Sequence, residues 1–396
     1  MMGYKLMKYK ILLVTTLSMM FSVGCSEELP IPNSDAPFET SDQSISFSDS
    51  SDSWATRGAV YDGTNLDEIE VFSYYTAQKE WSATTADDID EFMINQLVTK
   101  ASDVWSYTPL KYWPNNEDDK ITFYAFAPYG DISYSTDADG KPVFNYILST
   151  QAVNNNDLSA SVVYDKGKDD GVVKFEMQHA LARISISART INAPDVDAND
   201  QTLNDDDTGT GEYNVKYTVN GVTFSGVKSK GTLSFDANDD VTWTLDYTDD
   251  SDYIEFIATQ GKTLIDYTSQ TPLLDYDDTT ADAATNLKYT DVTMDDMGVF
   301  VLPQDFTQLT TTPTVQLRVR KSYKGYTVDS PTTLVDREII YETEAANIPL
   351  PTDRNGWETA DWINLMFTFD LGRLDEYATP LTVTSEILQW TTSDID

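Results

Sequence analysis

From residue 54 onward, apolar and polar residues alternate in short runs, which is the pattern of half-buried β-strands. Clear examples are Glu68–Tyr75, Ile121–Ala127 and Arg183–Ala188. Further alternating or β-branched runs lie at 172–177, 213–227, 230–235, 241–247, 253–259, 298–302, 314–320, 335–341, 362–369 and 381–390. Turn sequences such as Asp137-Ala138-Asp139-Gly140 separate the runs. The pattern predicts an all-β protein built from antiparallel sandwiches.

Two stretches depart from this pattern. Residues 86–100 have partly helical spacing, and we expect the chain's one helical segment there. The stretch 191–212 is too acidic to bury, so it predicts an exposed loop. A boundary near 180–190 divides the β pattern, and it predicts an N-terminal sandwich at 54–182 and a C-terminal sandwich at 183–396.

The N-terminus has the features of an export signal. Lys5, Lys8 and Lys10 precede a mostly apolar run at 11–24, which is too short to span a bilayer but suits a secretory signal. Small residues then lead into Cys25, as in the bacterial lipobox, and Cys25 is the single cysteine of the chain. We therefore expect residues 1–24 to be removed and Cys25 to carry lipid. The alternative is a plain signal with an incidental cysteine.

Residues 25–53 are rich in Ser, Asp and Pro, and they predict a tether. One alternation interrupts this composition, at Ser44-Ile45-Ser46-Phe47-Ser48. Its period of two predicts a half-buried strand with Ile45 and Phe47 on its inner face.

Composition then narrows the classes of function. The chain has 396 residues, with 66 Asp and Glu against 26 Lys and Arg, a formal net charge of −40. A charge of this sign repels phosphate backbones, so nucleic acid is not an expected partner. One cysteine and one histidine exclude a disulfide within the chain, a cysteine-based zinc cluster and a multi-histidine metal site.

The remaining chemical motifs are weak. The acidic stretch 195–206 is spaced loosely like a calcium loop, but Asp200 stands where that loop needs glycine, and Asp206 where it needs a bidentate glutamate. His179 has neither a second histidine nor a cysteine nucleophile, and a hydrogen-bonded structural role is expected for it. We therefore predict no cofactor, no metal site and no catalytic residue, and the protein is not expected to be an enzyme.

A cluster of aromatic residues leaves one alternative open. Trp105, Tyr107, Tyr112 and Trp113 lie close together in sequence. Such residues form either a platform for a glycan or part of a sandwich core. The first interpretation predicts a surface glycan-binding lipoprotein.

Several of these stretches resemble the fimbrillin family of the Bacteroidetes. The resemblance rests on motifs that run in family order over about 54–391: Val104-Trp105-Ser106-Tyr107, Lys111-Tyr112-Trp113-Pro114, Ile121–Tyr129, Phe175–Ile184, Gly231-Thr232-Leu233 with Trp243, Leu302-Pro303-Gln304 and Trp362–Trp390. It implies two transthyretin-like β-sandwich domains in tandem. It also implies a pilus subunit, or a tip or accessory adhesin, at the outer membrane and cell surface.

The resemblance further implies maturation by a trypsin-like protease, loss of an N-terminal strand, and assembly with other fimbrial subunits by strand donation. The bond between Arg57 and Gly58 is the candidate cleavage site, because its flanks are small and polar. The strand lost would carry Ile45 and Phe47. The candidate donor is 381–390, with Leu381, Val383, Ile387 and Trp390 as its apolar residues. Stalk, tip and anchor positions in the fibre all remain open, as does a glycan or protein receptor on a host or bacterial surface.

Overall fold

β-Strands make up most of the described chain, as the alternation predicts. The computed structural model describes residues 40–49, 66–102, 104–191, 202–203, 212–258, 263–266, 290–291, 298–327, 330–370 and 382–388. Its N-terminal half contains β1 (Thr40–Ser44), β2 (Phe47–Asp49), β3 (Glu68–Tyr75), β4 (Asp90–Ala101), β5 (Val104–Ser106), β6 (Tyr112–Pro114), β7 (Ile121–Ala127), β8 (Ser133–Thr136), β9 (Pro142–Ile147), β10 (Ser159–Lys166), β11 (Val173–Phe175) and β12 (Gln178–His179).

The C-terminal half is also made of strands. It contains β13 (Ala182–Ile191), β14 (Thr202–Leu203), β15 (Glu212–Lys228), β16 (Lys230–Phe235), β17 (Val241–Thr244), β18 (Tyr253–Ala258), β19 (Thr263–Asp266), β20 (Thr290–Asp291), β21 (Val299–Val301), β22 (Gln304–Asp305), β23 (Thr314–Thr327), β24 (Ser330–Glu342), β25 (Ala346–Asn347), β26 (Gly356–Trp357), β27 (Trp362–Asp370) and β28 (Thr382–Leu388). Short 3-10 turns occur at Trp81–Ala83, Ala86–Asp88, Ala152–Asn154, Lys168–Asp170 and Asp250–Asp252. No helix among the described residues is long and apolar enough to cross a membrane.

The expectation of helical character over 86–100 is wrong for most of that stretch. A single 3-10 turn covers Ala86–Asp88, and β4 covers Asp90–Ala101. β4 pairs antiparallel with β3 along most of its length, so the sheet satisfies its backbone groups. Asn95 has a φ of 50°, which interrupts any helix and marks an irregularity in the strand.

The N-terminal half has three layers. A six-stranded sheet in the order β12-β10-β7-β3-β4-β5 forms the middle layer. On one face Phe126 packs against Phe144 of the four-stranded sheet β17-β16-β9-β8. On the other face Phe123 contacts Phe47 of β2 and Trp113 of β6. Because both faces are covered, every residue of β7 is buried.

Among the described residues the C-terminal half contains two larger sheets and the two-stranded pair β22–β26. β13 and β27 run parallel to each other, with β28 outside β27 and with β20 and β21 beside β13. The second sheet has the order β14-β15-β23-β24, with β18 and β19 also on β15 and β25 on β23. Buried aliphatic and aromatic side chains from both sheets form one hydrophobic cluster with those of the N-terminal half.

Strands from both sides of the predicted 182/183 boundary share one sheet. β9, from the N-terminal half, pairs antiparallel with β16, and β16 pairs with β17. Trp243 of β17 packs over Gly231, where an added Cβ would lie 2.8 Å from the indole ring, and its Nε1 donates to the carbonyl of Ala180 at 2.6 Å. The ladder therefore links the two halves, and the division into two tandem sandwiches stays a prediction.

Candidate assembly groove

Residues 40–49, here called the leader segment, lie as an extended strand between two walls. Its first part, β1, pairs antiparallel with β6, and its second part, β2, pairs parallel with β11. The predicted strand at 44–48 is therefore longer than expected, and Ile45 and Ser46 link its two parts. The space that the leader segment fills between β6 and β11 is called the groove below.

The β6 wall holds the leader segment through its backbone. Thr40 lies opposite Pro114 and Ser44 opposite Tyr112, with an irregular register between these two pairs. Beyond β6, the amide of Ile45 donates to the carbonyl of Lys111 at 2.9 Å. These contacts use backbone groups, so they hold a strand of almost any sequence.

The β11 wall binds the second part of the leader segment, β2, through backbone hydrogen bonds. Phe47 pairs with Val173 and Asp49 with Phe175 in parallel register. The amide of Val173 donates to the carbonyl of Ser46 at 2.9 Å. Without the leader segment the Val173 amide would lose this partner, and the Lys111 carbonyl on the other wall would keep only the Tyr107 hydroxyl, at 3.3 Å. A group that stays buried without a partner costs about 1–3 kcal/mol.

One side chain supplements the two walls. The Tyr107 hydroxyl, which is buried, donates to the carbonyl of Ile45 at 2.9 Å. The same oxygen lies 3.3 Å from the Lys111 amide, which donates to it. Burial raises the pKa of Tyr107, and the backbone hydrogen bond with Lys111 opposes that shift. The phenol therefore stays a hydrogen-bond donor at neutral pH.

The inner face of the leader segment fills an aromatic pocket. Ile45 is 1% exposed and Phe47 6% exposed. The Phe47 ring lies 5.3 Å from Tyr107, 5.6 Å from Phe175 and 6.0 Å from Phe123, measured between ring centroids. Removing a buried aromatic side chain from such a site costs about 3–5 kcal/mol. The predicted inward orientation of Ile45 and Phe47 is what the structure shows.

Sequence reasoning missed the residues that form this pocket. Tyr107 and Phe175 stand in the motifs that carry the family resemblance, but nothing in the sequence places either of them beside residues 44–48. Lys111 and Val173 act through backbone groups, which no side-chain pattern can mark. The missing information is the pairing of distant strands, which brings residues 45, 107 and 173 together.

The groove leaves little of the aromatic cluster for a glycan platform. Trp113 is completely buried and contacts Phe123, while Tyr107 faces the leader segment. Trp105 and Tyr112 are half-buried. Two of the four aromatic residues are thus part of the core around the groove, which is the second of the two interpretations weighed above.

The candidate donor strand belongs to a sheet of its own chain. β28 pairs antiparallel with β27, with Val383 opposite Phe367 and Ile387 opposite Ile363. Val383 packs against the hydrophobic cluster, whereas the side chain of Ile387 is exposed. Leu381 and Trp390, the other two candidate donor residues, lie outside the described residues, as do Cys25, Arg57 and Gly58.

Two further polar groups lie in the middle sheet. His179 is buried, and its Nδ1 lies 3.0 Å from Oδ1 of Asp157, so it is hydrogen-bonded as predicted. Glu70 is also fully buried, on the face of β3 that points away from the groove, and its Oε2 accepts from the Gly130 amide at 3.2 Å. Burial raises the pKa of Glu70 to about 7, with a smaller contribution from Asp131.

Among the described residues no group of three or more His, Cys, Asp or Glu is arranged to hold a metal ion.

Comparison with known proteins decides the family. The profile of fimbrillin-like proteins matches residues 56–390. The chain belongs to the fimbrillin-like family. Fimbrium subunit Fim1C of Phocaeicola vulgatus is 31% identical over 134 residues, which are 29% of this chain and 35% of that protein. The matched part thus spans about a third of that relative's length.

A solved structure shares the fold. A fimbrial protein from Bacteroides vulgatus superposes on this fimbrillin-like chain with a TM-score of 0.52, at 21% identity, over 88% of this chain and 100% of the other. The likeness agrees with the all-β class predicted from the alternation.

Proposed function

We propose that this fimbrillin-like chain is a fimbrial subunit or adhesin at the cell surface, and that it assembles by exchanging its leader segment for a strand of another subunit. The observation that carries the proposal is the position of the leader segment: it is tied to the rest of the fold through β6, β11 and one tyrosine hydroxyl, and its apolar side chains are buried. The relative named as a fimbrium subunit supports the same function.

The chemistry of exchange follows from the groove. A strand that leaves it exposes unpaired backbone donors and acceptors together with an aromatic pocket, and both favour occupation by another strand. If the replacement comes from a neighbouring chain, the contact is head-to-tail and does not close on itself. Repetition of that contact gives a filament.

Maturation would make the exchange irreversible. The Arg57–Gly58 bond lies in sequence between the leader segment and β3, so cleavage there by a trypsin-like protease would free the leader segment from the body. Before cleavage the leader segment is part of the same chain and has a high effective concentration at the groove. After cleavage a released leader segment is diluted, and a neighbour's strand can replace it.

The lipid anchor has its place at the other end of the same segment. Cys25 precedes the leader segment by fifteen residues, so a lipid on Cys25 would hold the uncleaved chain at the outer membrane. Cleavage after Arg57 would separate the body from that lipid. Export, release from the membrane and opening of the groove are thus linked in one proposed sequence of events.

The test is limited digestion of the purified mature protein with trypsin, followed by mass spectrometry and electron microscopy. The proposal predicts cleavage after Arg57, loss of the leader segment and growth of polymers. The Arg57→Gln variant is the matched control and should stay intact and monomeric. Cleavage and leader loss without polymers would contradict a stalk role and favour a tip or anchor subunit. A wild-type chain that keeps its leader segment after cleavage would contradict strand exchange itself.

A further inference from the structure

The outer face of the leader segment leaves two apolar residues uncovered. Leu110 is 53% exposed and Val172 is 50% exposed, among the most exposed large apolar side chains in the described part of the chain. Each immediately precedes a residue that binds the leader segment: Leu110 precedes Lys111 on one wall, and Val172 precedes Val173 on the other.

Both residues lie at the level of Ser46. Val173 pairs with Phe47 in parallel register, so Val172 lies beside Ser46 on the same outward face. On the opposite wall Lys111 bonds to the Ile45 amide in an antiparallel pair, which places Leu110 next to Ser46. Ser46 is itself exposed. Across the groove, Ser46 therefore lies between two exposed apolar side chains, Leu110 and Val172.

The neighbouring outward row is different. Ser48 pairs with Lys174, which is exposed and carries a charge. An apolar side chain at residue 48 would gain no apolar neighbour on that wall. At residue 46 an apolar side chain would cover Leu110 and Val172 together, and cross-strand contacts of this type stabilise a sheet.

We infer that the groove is built for a partner strand with three successive apolar residues, facing inward, outward and inward, whose middle residue covers Leu110 and Val172. The leader segment has Ile45 and Phe47 at the inward positions but a serine between them. It therefore fills the pocket and leaves the rim open, which makes it a weaker occupant than such a partner strand.

The inference rests on the proposed function and names the class of donor. Residues 381–390 of this chain read LTVTSEILQW and contain no three successive apolar residues. Residues 381–390 of a second copy could therefore occupy the groove but would leave the rim uncovered, and the strand that fits best comes from a different subunit. This predicts mixed contacts, in which this chain accepts a strand from another fimbrial protein.

The test measures leader retention in the uncleaved, full mature chain by hydrogen exchange of the Val173 amide. Covering the rim should stabilise the leader segment, so Ser46→Val is expected to slow this exchange about tenfold. Ser48→Val is the matched control and should change the rate less than twofold. In the Leu110→Ser/Val172→Ser background the gain from Ser46→Val should vanish, because the rim is then polar.

The outcomes separate the inference from the proposed function. If Ser46→Val changes the exchange rate no more than Ser48→Val does, or if its gain survives in the Leu110→Ser/Val172→Ser background, the inference is overturned even when trypsin-treated protein still polymerises. If Ser46→Val gives its gain but the trypsin-treated protein never exchanges its leader segment, the assignment of the rim to a donor strand is overturned with the proposed function.

A synthetic leader peptide carrying Ser46→Val should also bind the cleaved chain about tenfold more tightly than the unchanged peptide; equal binding contradicts the inference.

Discussion

The leader segment and β28 are the first and the last stretches of strand that the structure describes, but they contribute differently to the fold. The leader segment has neighbours on both sides, and its inward residues Ile45 and Phe47 are buried. β28 pairs with β27 alone among the described strands, and its Ile387 is 45% exposed. Removing the first opens a groove through the fold, whereas removing the second uncovers one edge.

This difference fits two distinct roles. A strand that completes a core is hard to lose without a substitute, so its loss drives the acceptor to find one. A strand at an edge with few buried side chains can leave its own sheet at lower cost, which is what a donor requires. Substitutions in the leader segment, in β28 and in the strands around them test this difference.

Phe47→Ala should have the largest effect. Because the ring fills a pocket formed by three other aromatic residues, its loss is expected to cost about 3–5 kcal/mol of the free energy that holds the leader segment. Urea unfolding together with susceptibility of the leader segment to protease measures this. Ile387→Ala is the control in β28. A cost for Phe47→Ala no greater than that for Ile387→Ala would remove the contrast between the two strands.

Glu70→Gln should change how stability depends on pH. The folded state raises the pKa of Glu70 from 4.5 to about 7, so the native state binds the proton more tightly than the unfolded chain. Its stability should therefore fall as the pH rises from about 4.5 to about 7, by about 3 kcal/mol. Glu70→Gln should abolish this loss and be the more stable protein at pH 8, as measured by urea unfolding at pH 5 and pH 8.

Glu70→Gln also tests whether leader retention is independent of the global stability of the fold. Glu70 points away from the leader segment, so leader retention should be unchanged when global stability changes. Glu68→Gln, at an exposed position of the same strand, is the control: it keeps Glu70 and should retain the wild-type fall in stability between pH 5 and pH 8. A Glu70→Gln protein that keeps the wild-type pH dependence would show that another group is responsible.

Tyr107→Phe should weaken the groove by about 1 kcal/mol, the usual net value of one buried hydrogen bond. The ring stays against Phe47, but the donor to the Ile45 carbonyl is lost. The leader segment of the cleaved chain should then dissociate about fivefold faster, measured by mass spectrometry over time. Tyr112→Phe on the adjacent wall is the matched control. Equal rates for Tyr107→Phe and the wild type would show that the hydroxyl does not hold the leader segment.

Ile387→Ser should have the smallest effect on folding. The side chain is exposed at the sheet edge, so the free energy of unfolding should change by less than about 0.5 kcal/mol. If β28 is a donor, polymer yield should nevertheless fall. Val383→Ser is the comparison. Because Val383 packs against the hydrophobic cluster, this substitution should lower both the free energy of unfolding and the polymer yield. Full polymer yield from Ile387→Ser would count against this residue as a donor contact.

Much of the fold could be predicted from the sequence because the alternation of period two is local. β3, β7 and β27 lie where their patterns place them. The prediction of helical character over 86–100 was wrong because β4 pairs with β3, and this distant pairing outweighs the weak helical spacing of the sequence. No local pattern shows such a pairing. Pairings between distant strands set the architecture, and the joining of β9 to β16 is one example.

The candidate site was predictable in part for the same reason. Ile45 and Phe47 could be identified as inward-facing because the alternation is confined to five residues in a polar tether. Their partners could not, since Lys111 and Val173 bind through backbone atoms and Tyr107 lies 62 residues from the carbonyl it binds. The rim formed by Leu110 and Val172 depends on two separate registers, which only the folded chain shows.

Hydrogen exchange at the walls of the groove can show directly whether the leader segment fills a replaceable place in the fold. It should be measured in three states: the uncleaved chain, the chain cleaved and freed of its leader segment, and the assembled polymer. We expect the amide of Val173 to be protected in the first state, to exchange rapidly in the second and to be protected again in the third. Protection that persists in the second state would contradict it, because the groove would then be closed without any strand in it.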